Sequence, residues 1–84
     1  SEEAHYFRGL AYAMVNNYER ALADLNRTIR LNPYNADAFI LRAGIRSEQG
    51  DVEESLEDMI QAINLLDRQG ESEKATEIRQ LLGY

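Results

Sequence analysis

Residues 8–31 read RGLAYAMVNNYERALADLNRTIRL, and residues 42–65 read RAGIRSEQGDVEESLEDMIQAINL. Laid over one another at an offset of 34 residues, the two stretches repeat a pattern of sizes and charges. Arg8 and Asp24 recur unchanged as Arg42 and Asp58. Gly9 returns as Ala43, Asn17-Tyr18 as Asp51-Val52, Ala21 as Ser55, Leu25 as Met59, Thr28 as Ala62 and Leu31 as Leu65. A fixed period of this length is the signature of a helix-turn-helix solenoid. Such an architecture offers an extended surface, so the pattern points to holding another protein and away from chemistry in a pocket.

Five helices can be read outward from this repeat. The first runs from about Glu3 to Val15, with Tyr6, Leu10, Ala13 and Met14 on one side. Ala4, Ala11, Tyr12 and Val15 widen its apolar arc beyond a single stripe, as for a helix packed on two sides. Asn16-Asn17 interrupts it, and Asn17 is placed to cap a second helix over Tyr18 to Leu31. That helix turns Ala21, Leu22, Leu25, Thr28 and Ile29 inward. Asn32-Pro33 ends it, because the residue before a proline is pushed out of the helical region. Asn35 caps a third helix, about Ala36 to Gln49, with Ala38, Phe39, Ile40, Leu41, Ala43 and Ile45 as its apolar face. Gly50 suits the left-handed residue after a helix end. Asp51 and Glu54 form a capping-box signal for the fourth helix, which carries Leu56, Met59, Ile60, Ala62, Ile63, Leu65 and Leu66 inward. After a turn at Arg68-Gln69-Gly70, a fifth helix spans about Glu71 to Leu82. Ala75, Ile78, Leu81 and Leu82 lie on one of its faces, and Gly83 stops it. No period-two alternation and no Asn-Gly or Asp-Gly turn suggests a strand. The expected fold is all-α, with short loops and antiparallel neighbouring helices.

Eighty-four residues make one small domain. The chain has no cysteine, hence no disulfide framework and no thiolate metal site. No apolar run approaches the roughly 20 residues of a membrane span, and the acidic start Ser1-Glu2-Glu3 is no signal peptide. These features point to the cytoplasm and to no membrane partner. The chain lacks an initiator methionine and opens inside a helical pattern, as a domain taken from a longer protein would. The net charge of −6 is uneven: residues 1–35 are balanced, and residues 36–84 hold the whole excess. An acidic half argues against nucleic acid, whose phosphates need clustered Lys and Arg. It serves solubility, and it would suit a basic partner.

The repeated segments resemble the tetratricopeptide repeat family. Arg8-Gly9-Leu10-Ala11-Tyr12, Tyr18-Glu19-Arg20-Ala21-Leu22 and Leu31-Asn32-Pro33 follow the family pattern closely. The second copy is looser. It keeps Phe39, Ala43, Gly50-Asp51 and Ala62, but has Arg46 where the pattern has tyrosine and Asp67 where it has proline. In the first copy His5 stands at the bulky opening position. The resemblance covers residues 4–67 and implies an α-solenoid of antiparallel helix pairs stacked in a right-handed superhelix. It divides the chain into repeat one at about 2–35, repeat two at about 36–69 and a capping helix at about 70–83. The small residues Gly9, Ala21, Thr28, Ala43, Ser55 and Ala62 then fall where helices approach closely, and Tyr12, Leu25, Phe39 and Met59 fill the space between. The fifth helix is amphipathic, as a cap that solvates the end of a stack should be. With only two repeats, the N-terminal end is left bare. The recurring pairs Arg8/Asp24 and Arg42/Asp58 are expected to form partly buried ion pairs that fix helix register.

No chemistry can be assembled. His5 is the sole histidine, and no second histidine or cysteine can join it at a metal. The serines Ser1, Ser47, Ser55 and Ser72 have no other imidazole to activate them, and the glycines are scattered. The expectation is no catalytic residue, no cofactor, no metal and no enzyme. The resemblance implies instead a concave groove lined by the first helix of each repeat, receiving an extended peptide or a partner helix. Matching positions are Tyr6, Leu10, Ala13 and Met14 from the first helix, and Asp37, Ile40, Gly44, Ser47 and Glu48 from the third. Tyr34 and Asn35 come from the turn, and Lys74 and Ile78 from the fifth helix. Tyr6, Tyr34 and Ile40 would be the anchors. Chaperone-binding members of the family hold a C-terminal carboxylate with lysines and asparagines. Here Tyr6, Leu10 and Leu41 stand at matching places, so no such clamp is expected. Core packing is the competing account of Tyr6, Leu10 and Ile40. Self-association into a dimer or oligomer, through the bare end and the apolar groove, is the competing account of function.

Overall fold

The computed structural model describes residues 1–83, all in helices and the short turns between them. The helices are α1 (Glu2–Met14), α2 (Tyr18–Leu31), α3 (Ala36–Glu48), α4 (Val52–Arg68) and α5 (Ser72–Leu82). Among the described residues there are five helices and no strand, in two successive hairpins followed by a single helix, as the repeat predicts. Termini differ from the sequence reading by a residue. Val15 and Gln49 are C-caps and Glu71 is an N-cap, each just outside the helix it borders.

Local chemistry sets these boundaries. The side chains of Asn17 and Asn35 accept from the backbone N–H of Arg20 and Ala38, as expected of caps. Ser1 does the same for Ala4 and starts α1. The capping box at Asp51 does not form: its side chain makes no capping bond, and Glu54 turns instead toward Arg46 at 3.5 Å. Asn16 and Gly50, one period apart, both adopt left-handed backbone, with φ of 61° and 83°. Asparagine and glycine are the residues that tolerate this at the end of a helix. The two outer helices end differently. Pro33 follows the end of α2 at Leu31, whereas Asp67 stands at the equivalent place and α4 continues to Arg68. Asp67 then receives the Arg79 guanidinium and ties α5 to α4.

Two apolar clusters run through the stack. Ala21, Leu25, Ala38 and Ile45 join α1, α2 and α3, with Tyr6, Tyr12, Ala13 and Leu22 packed around them. Ala36, Phe39, Ala62, Ile63, Leu65, Leu66 and Ala75 join α3, α4 and α5, with Ile40, Ile78 and Leu82 against them. Ile29 of α2 touches both and links the repeats.

Several inward assignments are corrected. Met14 and Val15 are about three-quarters exposed, since the described residues pack against one side of α1 only. Ala4 and Ala11 are exposed for the same reason. Leu56 and Ile60 are each 41% exposed. They repeat the positions of Leu22 and Asn26, which in α2 face α3. The buried apolar part of α4 is its C-terminal half, around Ala62, Ile63, Leu65 and Leu66, where Ala75 of α5 packs. Leu81 is 84% exposed, on the face of α5 turned away from α4.

Candidate functional site

The inner helices α1 and α3 lie side by side, and their arginines do not point into the space between them. Arg8 donates through Nε and Nη2 to both carboxylate oxygens of Asp24, at 2.8 and 2.7 Å. Arg42 repeats this on Asp58, at 2.9 and 2.8 Å. Two parallel bonds per pair fix the rotation of each inner helix against its outer partner. The Arg8 guanidinium holds the Asp24 carboxyl below its ordinary range, chiefly through these hydrogen bonds and against the opposing effect of burial. The copies differ in surroundings: the Arg42 side chain is 15% exposed and the Arg8 side chain 62%. Arg42 Nη1 also donates to Asn26 Oδ1 of the preceding repeat at 2.9 Å, a neighbour that Arg8 lacks.

Departures from the repeat are compensated in place. Arg20 stacks on the Tyr12 ring with 5.8 Å to the centroid. One period later both members change, to Arg46 and Glu54, and the contact becomes an ion pair. Arg46 also donates to Asp58 Oδ2 at 2.8 Å. The sequence reading missed this second arginine on Asp58. Its signal was the break in the pattern at Arg46 itself.

Two open hollows occupy the face shared by α1 and α3. The first, about 220 Å³, is lined by Glu3, Tyr6, Phe7, Asn35 and Asp37. The Tyr6 and Phe7 rings meet edge to face with centroids 5.3 Å apart. Burial pushes the Tyr6 hydroxyl up, and the negative charge of Asp37 adds to the effect. The second, about 280 Å³, is lined by Ala13, Tyr18, Ile40, Leu41, Gly44, Ile45 and Glu48. Both are smaller than the roughly 300–1,000 Å³ typical of small-molecule sites.

The structure therefore brings together two subsets of the residues singled out above: Tyr6, Asn35 and Asp37 at one hollow, and Ala13, Ile40, Gly44 and Glu48 at the other. Leu10, Met14, Tyr34, Ser47, Lys74 and Ile78 line neither. Leu10 is half-buried, and Ser47 and Met14 are exposed near the ends of their helices. Tyr34 is exposed in the turn between the repeats, where its carbonyl accepts from Gln69 Nε2 at 2.7 Å. Asn35, besides capping α3, donates to Glu2, which also accepts from Asn32 and so anchors this turn to the start of α1. Lys74 is exposed with Glu71 3.8 Å away, and Ile78 packs into the α3–α4–α5 core. Glu3, Phe7, Tyr18, Leu41 and Ile45 are additions. Phe7 sits one residue from the expected face, and Tyr18 comes from an outer helix that the groove pattern does not include. Among the described residues, no group of three or more His, Cys, Asp and Glu side chains is arranged to hold a metal. None of their helices is long and apolar enough to cross a membrane.

A succession of helical hairpins, one per period, with small residues at the contacts, defines an α-helical repeat protein. Residues 2–35 match the family model of the tetratricopeptide repeat. The chain is 39% identical over 67 residues to tetratricopeptide repeat protein 13 of Homo sapiens, an alignment covering 74% of this chain and 8% of that protein. The chain belongs to the tetratricopeptide repeat family, whose repeats mediate protein–protein interaction. It spans less than a tenth of the length of the relative it matches. No solved structure matches it.

Proposed function

We propose that this chain is a protein-interaction module, without catalytic activity, that holds a peptide or partner helix across the face shared by α1 and α3. We read residues 2–35 and 36–69 as its repeats and residues 70–83 as their cap, within a larger scaffold protein. One observation carries the reading: the two hollows lie side by side on the inner helices, each combining half-buried apolar side chains with exposed polar ones. Tyr6 and Ile40 both pack on the core and remain partly open, so they suit anchoring a ligand without having to reorganise. The test is a pull-down with the chain and with a Tyr6→Ala, Leu10→Ala, Ile40→Ala variant shown by circular dichroism to be folded. Partners retained by the parent and lost by the variant support this face as the binding surface. Partners recovered equally by both place binding elsewhere.

A second reading, self-association, draws on the exposed Phe7 and Met14 of α1 and its C-cap Val15. Contiguous exposed apolar surface marks interfaces. Sedimentation over a concentration series decides it, since a monomer at the highest concentration rules it out.

A further inference from the structure

The charge on the α1–α3 face is one-signed, and the cause is the repeat itself. The inner helices carry three arginines, and each is drawn toward an outer helix: Arg8 onto Asp24, and Arg42 and Arg46 onto Asp58. The carboxylates of Glu3, Asp37 and Glu48 remain exposed, and none enters an ion pair among the described residues. Glu3 and Asp37 border the hollow that holds the Tyr6–Phe7 edge-to-face pair. Carboxylates beside aromatic rings make a seat for an ammonium or guanidinium group, through charge and through the ring quadrupole. The neighbouring hollow offers Ala13, Ile40, Leu41 and Gly44. From Tyr6 to Ala13, and from Asp37 to Gly44, is two helical turns, or about 10 Å. In an extended, polyproline-like segment, side chains three residues apart share a face and lie about 9 Å apart.

We propose that this face takes an extended peptide presenting a lysine or arginine to the Glu3–Tyr6–Phe7–Asp37 hollow. A bulky apolar side chain three residues away fills the Ala13–Ile40–Gly44 hollow. The proposal rests on the peptide-binding reading above and adds the chemistry of the ligand.

The test is to select a random-peptide display library on the full chain. Selected peptides are then titrated by fluorescence anisotropy against the parent, Glu3→Gln/Asp37→Asn and Ile40→Ala. We expect the selected peptides to share a Lys or Arg spaced three residues from a bulky apolar residue. Their affinity should fall about tenfold in Glu3→Gln/Asp37→Asn, and it should fall with added salt. Neutral or acidic peptides that lose affinity in Ile40→Ala but not in Glu3→Gln/Asp37→Asn would overturn the cationic assignment and leave the peptide-binding reading intact. No selected peptide, or peptides indifferent to both variants, would overturn that reading and this proposal with it.

Discussion

Asp58 and Asp24 occupy the same position in successive repeats but carry different loads. The Asp58 carboxylate accepts from Arg42 and Arg46, while among the described residues the Asp24 carboxylate accepts from Arg8 alone. Breaking a buried pair leaves its partners uncompensated. We therefore expect Asp58→Asn to cost about 3 kcal/mol in urea unfolding. Asp24→Asn should cost less, because the exposed Arg8 regains water. Asp24 also gives the chain an acid-sensitive element. Its carboxyl titrates lower folded than unfolded, so its contribution is complete above the unfolded value near 4 and is lost as pH falls through the folded one. Urea midpoints measured below about pH 4 should fall less steeply for Asp24→Asn than for the parent. Equal slopes would show that Arg8 and Asp24 are not paired in solution. The two helical glycines are a further contrast. A methyl group on Gly9 would meet the Ala21 carbonyl oxygen and two side-chain atoms of α2 at 3.3 Å, whereas one on Gly44 would meet nothing within 4 Å. Gly44→Ala should stabilise the chain by about 0.5–1 kcal/mol through helix propensity. Gly9→Val should separate α1 from α2 and destabilise it, and the thermal midpoints of the two variants report both signs.

Helices are where the sequence was most readable, and where its limits show. The caps at Asn17 and Asn35, the stop at Pro33 and the left-handed Gly50 follow from local chemistry that a sequence carries in full. The ion pairs were legible because they recur at one period. Leu56, Ile60 and Leu81 were not legible as exposed residues. Their spacing marks a surface shaped to receive a neighbour, but whether a neighbour covers it depends on how much of α4 the 11-residue α5 reaches. The hollows were legible in part for the same reason. Repeat positions locate the inner face, but Phe7 and Tyr18 join it through the angle between helices, which no spacing encodes. The attachment of α5 makes a separate prediction. Its anchor is the Asp67–Arg79 pair, at the position where the first repeat has proline, together with Ala75, Ile78 and Leu82 on the core. Asp67→Ala should raise amide hydrogen exchange in α5 more than in α1 to α4. Uniform acceleration across the chain would mean that α5 does not open as a separate unit.

As a whole, the molecule is a slab 17 Å thick in its shortest dimension, about two helices deep. Its inner and outer helices differ in how they use charge. The outer helices supply the carboxylates that hold the inner arginines, and the inner helices keep their remaining carboxylates and two hollows for the outside. Binding at such a surface needs little backbone movement, since the side chains that would anchor a ligand are already packed from behind. The most direct test is a backbone amide NMR titration of the isotope-labelled chain with a peptide that it binds. We expect the largest shift changes at Tyr6, Ala13, Ile40 and Gly44, on the facing sides of α1 and α3, with α2 and α4 unperturbed on their outer surfaces. Changes concentrated on the outer surfaces of α2 and α4, with Tyr6 and Ile40 unmoved, would contradict this expectation.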